Sequence, residues 1–310
     1  MTRVMLRLAM SPRSTLVVAV AWSIAGCNAP APASREAPAS ARPAAATAPA
    51  TFTYPAPVKG HYEEVNTGAF DLADGIAYPA KGGTVVYVTE KPIASPVLVD
   101  AACPMTEARA LTVLRNSGYL EIELDAAGRS KYLAAGTPYG GRSREEAGRW
   151  KITGGKEKDG RVSGTLAYRG YGQFDFDLPV SRPTMGEVTE GERVHGMREA
   201  GRRTPTEGEL VAAYTEVRRA ARAGDLEALL RAQGFDRRQV EAIRGLPDIT
   251  ADLAAHAAHF LDPGTPEETT ANNGVGARGK DPKGAAFFNF YEFAPCGEKL
   301  VLVSIGENPQ

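Results

Sequence analysis

Apolar and polar residues alternate along the chain between residues 58 and 183, and this alternation limits the folds open to it. In Tyr119–Asp125, leucine and isoleucine alternate with three acidic residues, and in Gly172–Pro179, phenylalanine and leucine alternate with aspartate. Successive side chains of a strand point to opposite faces, so each segment predicts a strand with one buried and one solvated face. The region is therefore expected to form antiparallel sheets.

One continuous apolar run and one helical pattern complete this region. The run Val85–Val88 is apolar on both faces, which favours a strand inside a sheet. The segment Pro104–Asn116 begins with a proline, which suits a first helical turn, and its apolar residues fall on one face. Residues 58–183 are therefore predicted to form a β-rich sandwich or open barrel with one inserted helix.

Helical spacing replaces the alternation after residue 205. Thr206 and Glu209 have the spacing of a capping box, in which the two side chains bond each other's backbone amides. Apolar residues then recur at helical intervals as far as Gly224, which predicts a first helix. Three further helices are predicted near residues 225–229, 236–243 and 250–261.

Two strand patterns, Ala285–Phe293 and Lys299–Ile305, follow these helices, so the chain as a whole is predicted to be α+β. Over residues 206–310, the predicted helices come first and a curved antiparallel sheet follows. This order, together with the sequence pattern of Ala213–Leu230, resembles the cone-shaped fold of nuclear transport factor two and the ketosteroid isomerases. Enzymes and scaffolds share that fold, so the resemblance implies no activity. Residues 184–205 are interpreted as a connector.

The resemblance suggests where a site could lie in the C-terminal region. Ketosteroid isomerases use a pocket aspartate as base together with oxyanion donors. By residue type, Tyr214 and Asp252 are the candidates, and His256 and His259 are the other polar groups that a cavity could use. Ordinary core packing of Tyr214 is the alternative interpretation.

Asp252, His256 and His259 are spaced to share one face of a helix, which is a geometry that zinc could use. A third histidine and the H-E-x-x-H pattern are absent from this stretch, so neither a metal nor a cofactor is predicted. Asp175 and Asp177 share a strand face, which a calcium ion could use, but solvated carboxylates are the simpler interpretation.

The segment Gly274–Lys280 matches two glycine-rich nucleotide-binding patterns at once. Both patterns require a buried strand before the loop and a helix after it. Here a polar stretch precedes the segment and Asp281-Pro282 follows it, so nucleotide binding is not predicted. A glycine-rich hairpin loop is expected instead.

Cys27 ends the segment Ser23–Cys27, which follows an apolar run and an N-terminus that contains arginine but no acidic residue. The run is too short for a bilayer span of ~20 residues. The segment resembles the lipobox of bacterial lipoproteins, which implies removal of residues 1–26 and acylation of Cys27. The next residue, Asn28, implies that such a lipoprotein is sorted to the outer membrane. The lipid anchor would be its contact with the membrane.

Alanine and proline dominate residues 29–57, and this composition predicts a disordered tether. Together with the acylated Cys27, the tether makes up residues 27–57. Its limiting polyproline reach is about 90 Å. Without the three arginines of the signal, 33 basic and 37 acidic residues remain, a net charge of −4. This balance offers nothing to recruit a nucleic acid.

Two cysteines, Cys103 and Cys296, remain after lipidation. In an oxidising compartment an even remainder favours a disulfide, although two free thiols are the alternative. The chain contains no catalytic motif such as G-x-S-x-G or S-x-x-K. We therefore interpret it as a binding or assembly module with an envelope protein as partner. The alternative is a small-ligand carrier or enzyme with a cavity in residues 206–310.

Overall fold

A computed structural model describes most of the chain beyond residue 56, and all described residues belong to one compact unit, Pro49–Gln310. The described ranges are residues 57–64, 68–80, 82–137, 142–146, 150–168, 172–183, 204–270 and 273–309. The lipobox, the tether up to residue 56 and the connector from 184 to 203 lie outside them. Within these ranges, no helix has both the length and the apolar character that a membrane crossing requires.

Two five-stranded antiparallel sheets form a sandwich, which confirms the predicted β-rich layers. Sheet one has the strand order β2-β1-β10-β9-β8, and sheet two has the order β3-β4-β5-β6-β7. The strands are β1 Val58–Glu64, β2 Gly68–Asp71, β3 Asp74–Ala80, β4 Gly83–Thr89, β5 Tyr119–Asp125, β6 Ser130–Gly136, β7 Arg142–Glu146, β8 Trp150–Lys158, β9 Arg161–Tyr168 and β10 Gly172–Pro179. A first hydrophobic core lies between the two sheets and contains Val86, Ile122, Leu166, Phe174 and Phe176.

Two helices separate β4 from β5. Helix α1 is the single turn Ser95–Leu98, and helix α2 is Pro104–Arg115. Proline stands at the start of α2, and Asn116 ends it in the left-handed conformation with φ 45°. The predicted inserted helix is therefore confirmed, whereas α1 was not predicted.

The C-terminal region consists of four helices followed by a four-stranded antiparallel sheet. The helices are α3 Glu207–Arg222, α4 Leu226–Ala232, α5 Arg237–Arg244 and α6 Ile249–Ala257. The strands, in the sheet order β11-β12-β13-β14, are β11 Asp262–Thr270, β12 Gly274–Lys280, β13 Ala286–Cys296 and β14 Lys299–Pro309. The capping box of Thr206 and Glu209 is present at the start of α3, as predicted. We call this sheet, formed by β11 to β14, sheet three.

A second hydrophobic core extends across the predicted boundary between residues 58–183 and 206–310. Helix α2 packs against β3 on one side and against β14 and α6 on the other. The second core therefore contains residues from sheet two, α2, the C-terminal helices and sheet three, among them Tyr87, Leu111, Tyr214, Leu253 and Tyr291. The two halves of the chain thus share one core.

A disulfide also connects the two halves. Cys103, directly before α2, bonds Cys296 at the end of β13, with the two Cα atoms 5.9 Å apart and a separation of 193 positions in sequence. Of the two alternatives for this pair, the disulfide is the one observed.

The acidic face of β5 is buried at Glu121, which corrects the expectation of a solvated face for that part of Tyr119–Asp125. The Glu121 side chain is 2% exposed, and Arg109 of α2 donates to its carboxylate at 2.7 Å. Helix α2 covers this end of the face, whereas Glu123 and Asp125 are partly exposed. The expectation for β10 holds, since Asp175 and Asp177 lie exposed on the outer face of sheet one.

The segment Gly274–Lys280 is strand β12 and not the expected hairpin loop. It lies between β11 and β13 inside sheet three. The ring of Phe290 on β13 occupies the position that a Cβ atom at Gly274 would take, and Gly279 lies close against Leu261 in the same way. The glycines therefore allow close packing of neighbouring groups, which explains the pattern without a nucleotide.

Candidate functional site

Tyr214, the first predicted candidate, lies in the second core. Its ring packs against Tyr291, with the ring centroids 4.8 Å apart, and against Phe260 at 6.4 Å. Its hydroxyl donates to the carbonyl of Gly264 at 2.8 Å. Burial raises the pKa of Tyr214 to about 12 and also raises the pKa of Tyr291, so both phenols remain protonated. These contacts agree with the core-packing interpretation of Tyr214.

Asp252 belongs to a buried network of charges that joins α6 to α2. Arg115 donates from Nε to Asp252 Oδ2 at 2.8 Å, and Lys91 donates from Nζ to Asp252 Oδ1 at 2.8 Å. The remaining guanidinium nitrogens of Arg115 donate to the carbonyls of Pro92 and Pro247. We call Lys91, Arg115 and Asp252 the buried charge network. In this network each oxygen of the Asp252 carboxylate accepts a hydrogen bond from a basic side chain.

The two candidate histidines make separate contacts. His256 is 2% exposed, and its ring meets Phe260 edge to face at 5.2 Å. His259 lies beyond the end of α6, which stops at Ala257 because the following bonds are the tighter i to i+3 type. His259 Nδ1 is 2.5 Å from Glu307 Oε1. The expectation that Asp252, His256 and His259 share one helix face is therefore wrong, because His259 lies outside the helix.

We expect the free energy of unfolding to fall as the pH drops below 6.5 because of His256, with a slope that approaches about 1.4 kcal/mol per pH unit near pH 5. Burial, and secondarily the charge of His259, lowers the pKa of His256 from 6.5 to about 3. The unfolded chain therefore takes up this proton first, and stability is lost as the pH falls below 6.5 toward 3. Urea denaturation at pH 7, 6 and 5 measures the slope. His256→Leu should remove most of it, whereas His61→Gln, at an exposed position, should not.

A groove of about 1140 Å³ lies on the helical side of the molecule, and none of the four predicted candidates lines it. Its walls are α1, the turn from 223 to 225, α4, α5 and the start of α6. Its floor is mostly apolar and includes Val97, Leu226, Ala242 and Ile249, one from each of four helices. The groove lies where α1, from the first half of the chain, meets the helices of the second half.

Buried polar contacts hold the walls of the groove in place. Asp74 Oδ2 accepts from the amides of Ile93 and Ser95 at 2.7 and 3.4 Å, which fixes the start of α1. Gln239 of α5 donates from Nε2 to Glu107 of α2 at 2.5 Å. The buried charge network holds α6 in the same manner. Three of the four helices are thus anchored to residues of the first half of the chain.

Charged side chains form the rim of the groove, and most of them are paired. Glu227 lies 3.2 Å from Arg244, across the groove wall. Glu241 pairs with Arg237 at 2.9 Å, one turn away on α5. These exposed pairs contribute little stability. They do keep a polar border around the apolar floor.

Arg238 is the rim charge with the weakest ion pair. Its guanidinium lies 4.0 Å from the carboxylate of Asp100, and both side chains are about 70% exposed. Asp225, on the opposite wall, caps α4 by accepting from the Ala228 amide at 2.9 Å. Of the two arginines that line the groove, Arg238 is therefore the one with the more distant counter-ion.

The sequence contained little sign of this groove. The capping residues Asp225 and Asp236 mark the helix starts that border it, and both were predicted as helix boundaries. Neither the packing of α1 against α5 nor the contact between Glu107 and Gln239 follows from any local pattern. The groove exists only because two distant parts of the chain meet.

Comparison with known proteins leaves the chain without an assigned family. No protein-family model, curated protein or solved structure matches it. The resemblances to bacterial lipoproteins and to the cone-shaped fold of nuclear transport factor two therefore stay predictions, and the groove is the candidate site that the geometry itself provides.

Proposed function

We propose that this protein is an outer-membrane lipoprotein of the bacterial envelope whose groove binds an apolar segment of another envelope protein. The lipobox resemblance at Cys27 and the Ala/Pro tether support the anchored location. The groove carries the binding proposal, because an apolar floor inside a charged rim is the arrangement found in protein recognition sites.

The shape of the groove favours a polypeptide over a small molecule. Its volume of about 1140 Å³ lies near the upper limit of the ~300–1,000 Å³ of typical small-ligand pockets. Such pockets also enclose most of the ligand surface, whereas this groove is open to solvent. An open groove of this size suits a partner that keeps one side exposed.

The alternative of an enzyme requires polar groups that converge in an apolar cavity. Tyr214 donates to a backbone carbonyl, and the carboxylate of Asp252 accepts from Arg115 and Lys91. Neither residue lines the groove. These contacts support binding as the function of the site.

Ala242→Glu, in the groove floor, is expected to abolish partner capture, because its carboxylate would have to be desolvated when the partner binds. A photo-crosslinking amino acid at Thr250, an exposed groove residue, would trap the partner in cells that make the full-length lipoprotein. We expect the crosslinked protein band to fall by about tenfold or more with Ala242→Glu.

Ala212→Glu is the matched control, since Ala212 is exposed on α3 and does not line the groove. Equal loss in both variants would indicate an effect on folding or export. A band that persists in the Ala242→Glu variant would overturn the proposed site. A crosslink to lipid with no protein band would favour the small-ligand carrier instead.

A further inference from the structure

We infer that the occupant of the groove is an amphipathic α-helix with an acidic residue positioned to meet Arg238. This inference rests on the proposed function and specifies the chemistry of the partner. It follows from three properties of the residues that line the groove: their secondary structure, their side-chain types and their ion pairs.

The first property is the absence of a strand edge. Among the described residues, every one that lines the groove belongs to a helix or to a turn between helices. An extended peptide binds tightly when its backbone adds to a sheet edge, which is not available here. A peptide lying on the apolar floor would leave backbone amides and carbonyls without partners. A helix satisfies these groups internally, so it is the conformation that the floor accepts.

The second property is the side-chain composition of the lining. It contains aliphatic residues such as Val97, Leu226 and Ile249 and, in the described part of the chain, no aromatic residue. Grooves that bind polyproline segments are lined by aromatic rings, so that mode does not fit. Aliphatic floors bind the apolar face of a helix, whose contacts repeat at i, i+3, i+4 and i+7.

The third property is the state of the rim charges. Glu227 lies 3.2 Å from Arg244 and 3.3 Å from Arg231, and Glu241 pairs with Arg237 at 2.9 Å. Among the described residues, Arg238 pairs only with Asp100, at 4.0 Å. An acidic side chain on the partner helix would give Arg238 a closer counter-ion. The electrostatic contact would then fix the direction of the helix on the floor.

The experiment is a selection from a library of random 14-residue peptides against the full chain carrying Cys27→Ser, which removes the lipid anchor. Counter-selection uses the same chain with Ala242→Glu. We expect the enriched peptides to show helical apolar spacing with an acidic residue, and to become helical on binding by circular dichroism.

Arg238→Glu should weaken binding of the enriched peptide by roughly three- to tenfold, and lysine in place of its acidic residue should restore binding. Lys151→Glu changes the net charge equally on the exposed edge strand β8 and should leave binding unchanged.

Enriched peptides that bind in an extended or proline-rich form, or that bind the Ala242→Glu chain equally well, would overturn the inference. An affinity unaffected by Arg238→Glu would overturn the assigned acidic contact. If no peptide binds while the Thr250 crosslink still captures a protein through the floor, the proposed function stands and the helical occupant is wrong. If cis-parinaric acid binds the native chain and not the Ala242→Glu chain, an acyl ligand replaces the peptide.

Discussion

Asp252→Ala is expected to lower the free energy of unfolding by about 3–5 kcal/mol. The change leaves Arg115, whose side chain is 2% exposed, without the carboxylate that lies 2.8 Å from its Nε. Within the described part of the chain, the buried guanidinium then keeps only the carbonyls of Pro92 and Pro247 as partners, and these do not neutralise its charge. Lys91, at 35% side-chain exposure, can turn toward water and contributes less to the loss.

Guanidinium chloride denaturation of the full chain measures this change. Asp177→Ala is the matched control, because Asp177 also pairs with an arginine Nε, that of Arg161 at 2.9 Å, but both side chains are exposed, and its loss should cost less than ~1 kcal/mol. The double variant Arg115→Met with Asp252→Leu should recover part of the stability, since apolar side chains replace both charges. Equal costs for Asp252→Ala and Asp177→Ala would show that the network is not desolvated.

Loss of the disulfide is expected to have a similarly large effect. In the chain-entropy model, a bond between Cys103 and Cys296, which are 193 positions apart in sequence, contributes roughly 5 kcal/mol, and measured losses for native disulfides are ~2–5 kcal/mol. The variant Cys103→Ser with Cys296→Ser should therefore unfold at a much lower denaturant concentration. The cause is the larger freedom of the unfolded chain, together with burial of a serine hydroxyl at position 103, which is fully buried.

The measurement is made in a Cys27→Ser background, so that no third thiol exchanges with the pair. Adding a reductant to the parent chain should reproduce the loss, whereas adding it to the double serine variant should change nothing. Hydrogen exchange should increase first at the start of α2 and in the turn between β13 and β14, which the bond joins. A parent chain that keeps its denaturation midpoint after full reduction would contradict the prediction.

Both connections join the first half of the chain to the second and therefore support the groove. The buried charge network places α6, and the disulfide holds the start of α2, whose Glu107 bonds Gln239 on α5. A loss of either connection is expected to loosen walls of the groove as well as the core. For this reason, the binding variants proposed above lie on the floor and the rim and avoid the anchoring residues.

Local patterns in the sequence predicted the elements that depend on near neighbours. The alternation of Gly172–Pro179 predicted β10 with its inward aromatic residues, and Val85–Val88 predicted the strand that lies inside sheet two. The capping box at Thr206 predicted the start of α3. Such signals succeed because strand alternation and helix caps involve residues only a few positions apart.

Local patterns gave the wrong prediction where the environment of a residue depends on distant neighbours. Glu121 has the period of a solvated strand face, yet α2 covers it and Arg109 neutralises it. Gly274–Lys280 has the composition of a loop, yet the ring of Phe290 requires a glycine at that place in a strand. In both cases the residue that sets the environment lies on another helix or strand, so the nearby sequence does not reveal it.

The sequence by itself determined the α+β class, most of the element types and the residues available for a disulfide, because these follow from periodicity, caps and composition. It also contains the lipobox pattern at Cys27, whose consequence stays a prediction. Only the tertiary structure decided that Cys103 meets Cys296, that Asp252 pairs with Arg115, and that four helices enclose a groove. The physical reason is that burial and long-range pairing set the environment of each of these groups, and both depend on residues far away along the chain.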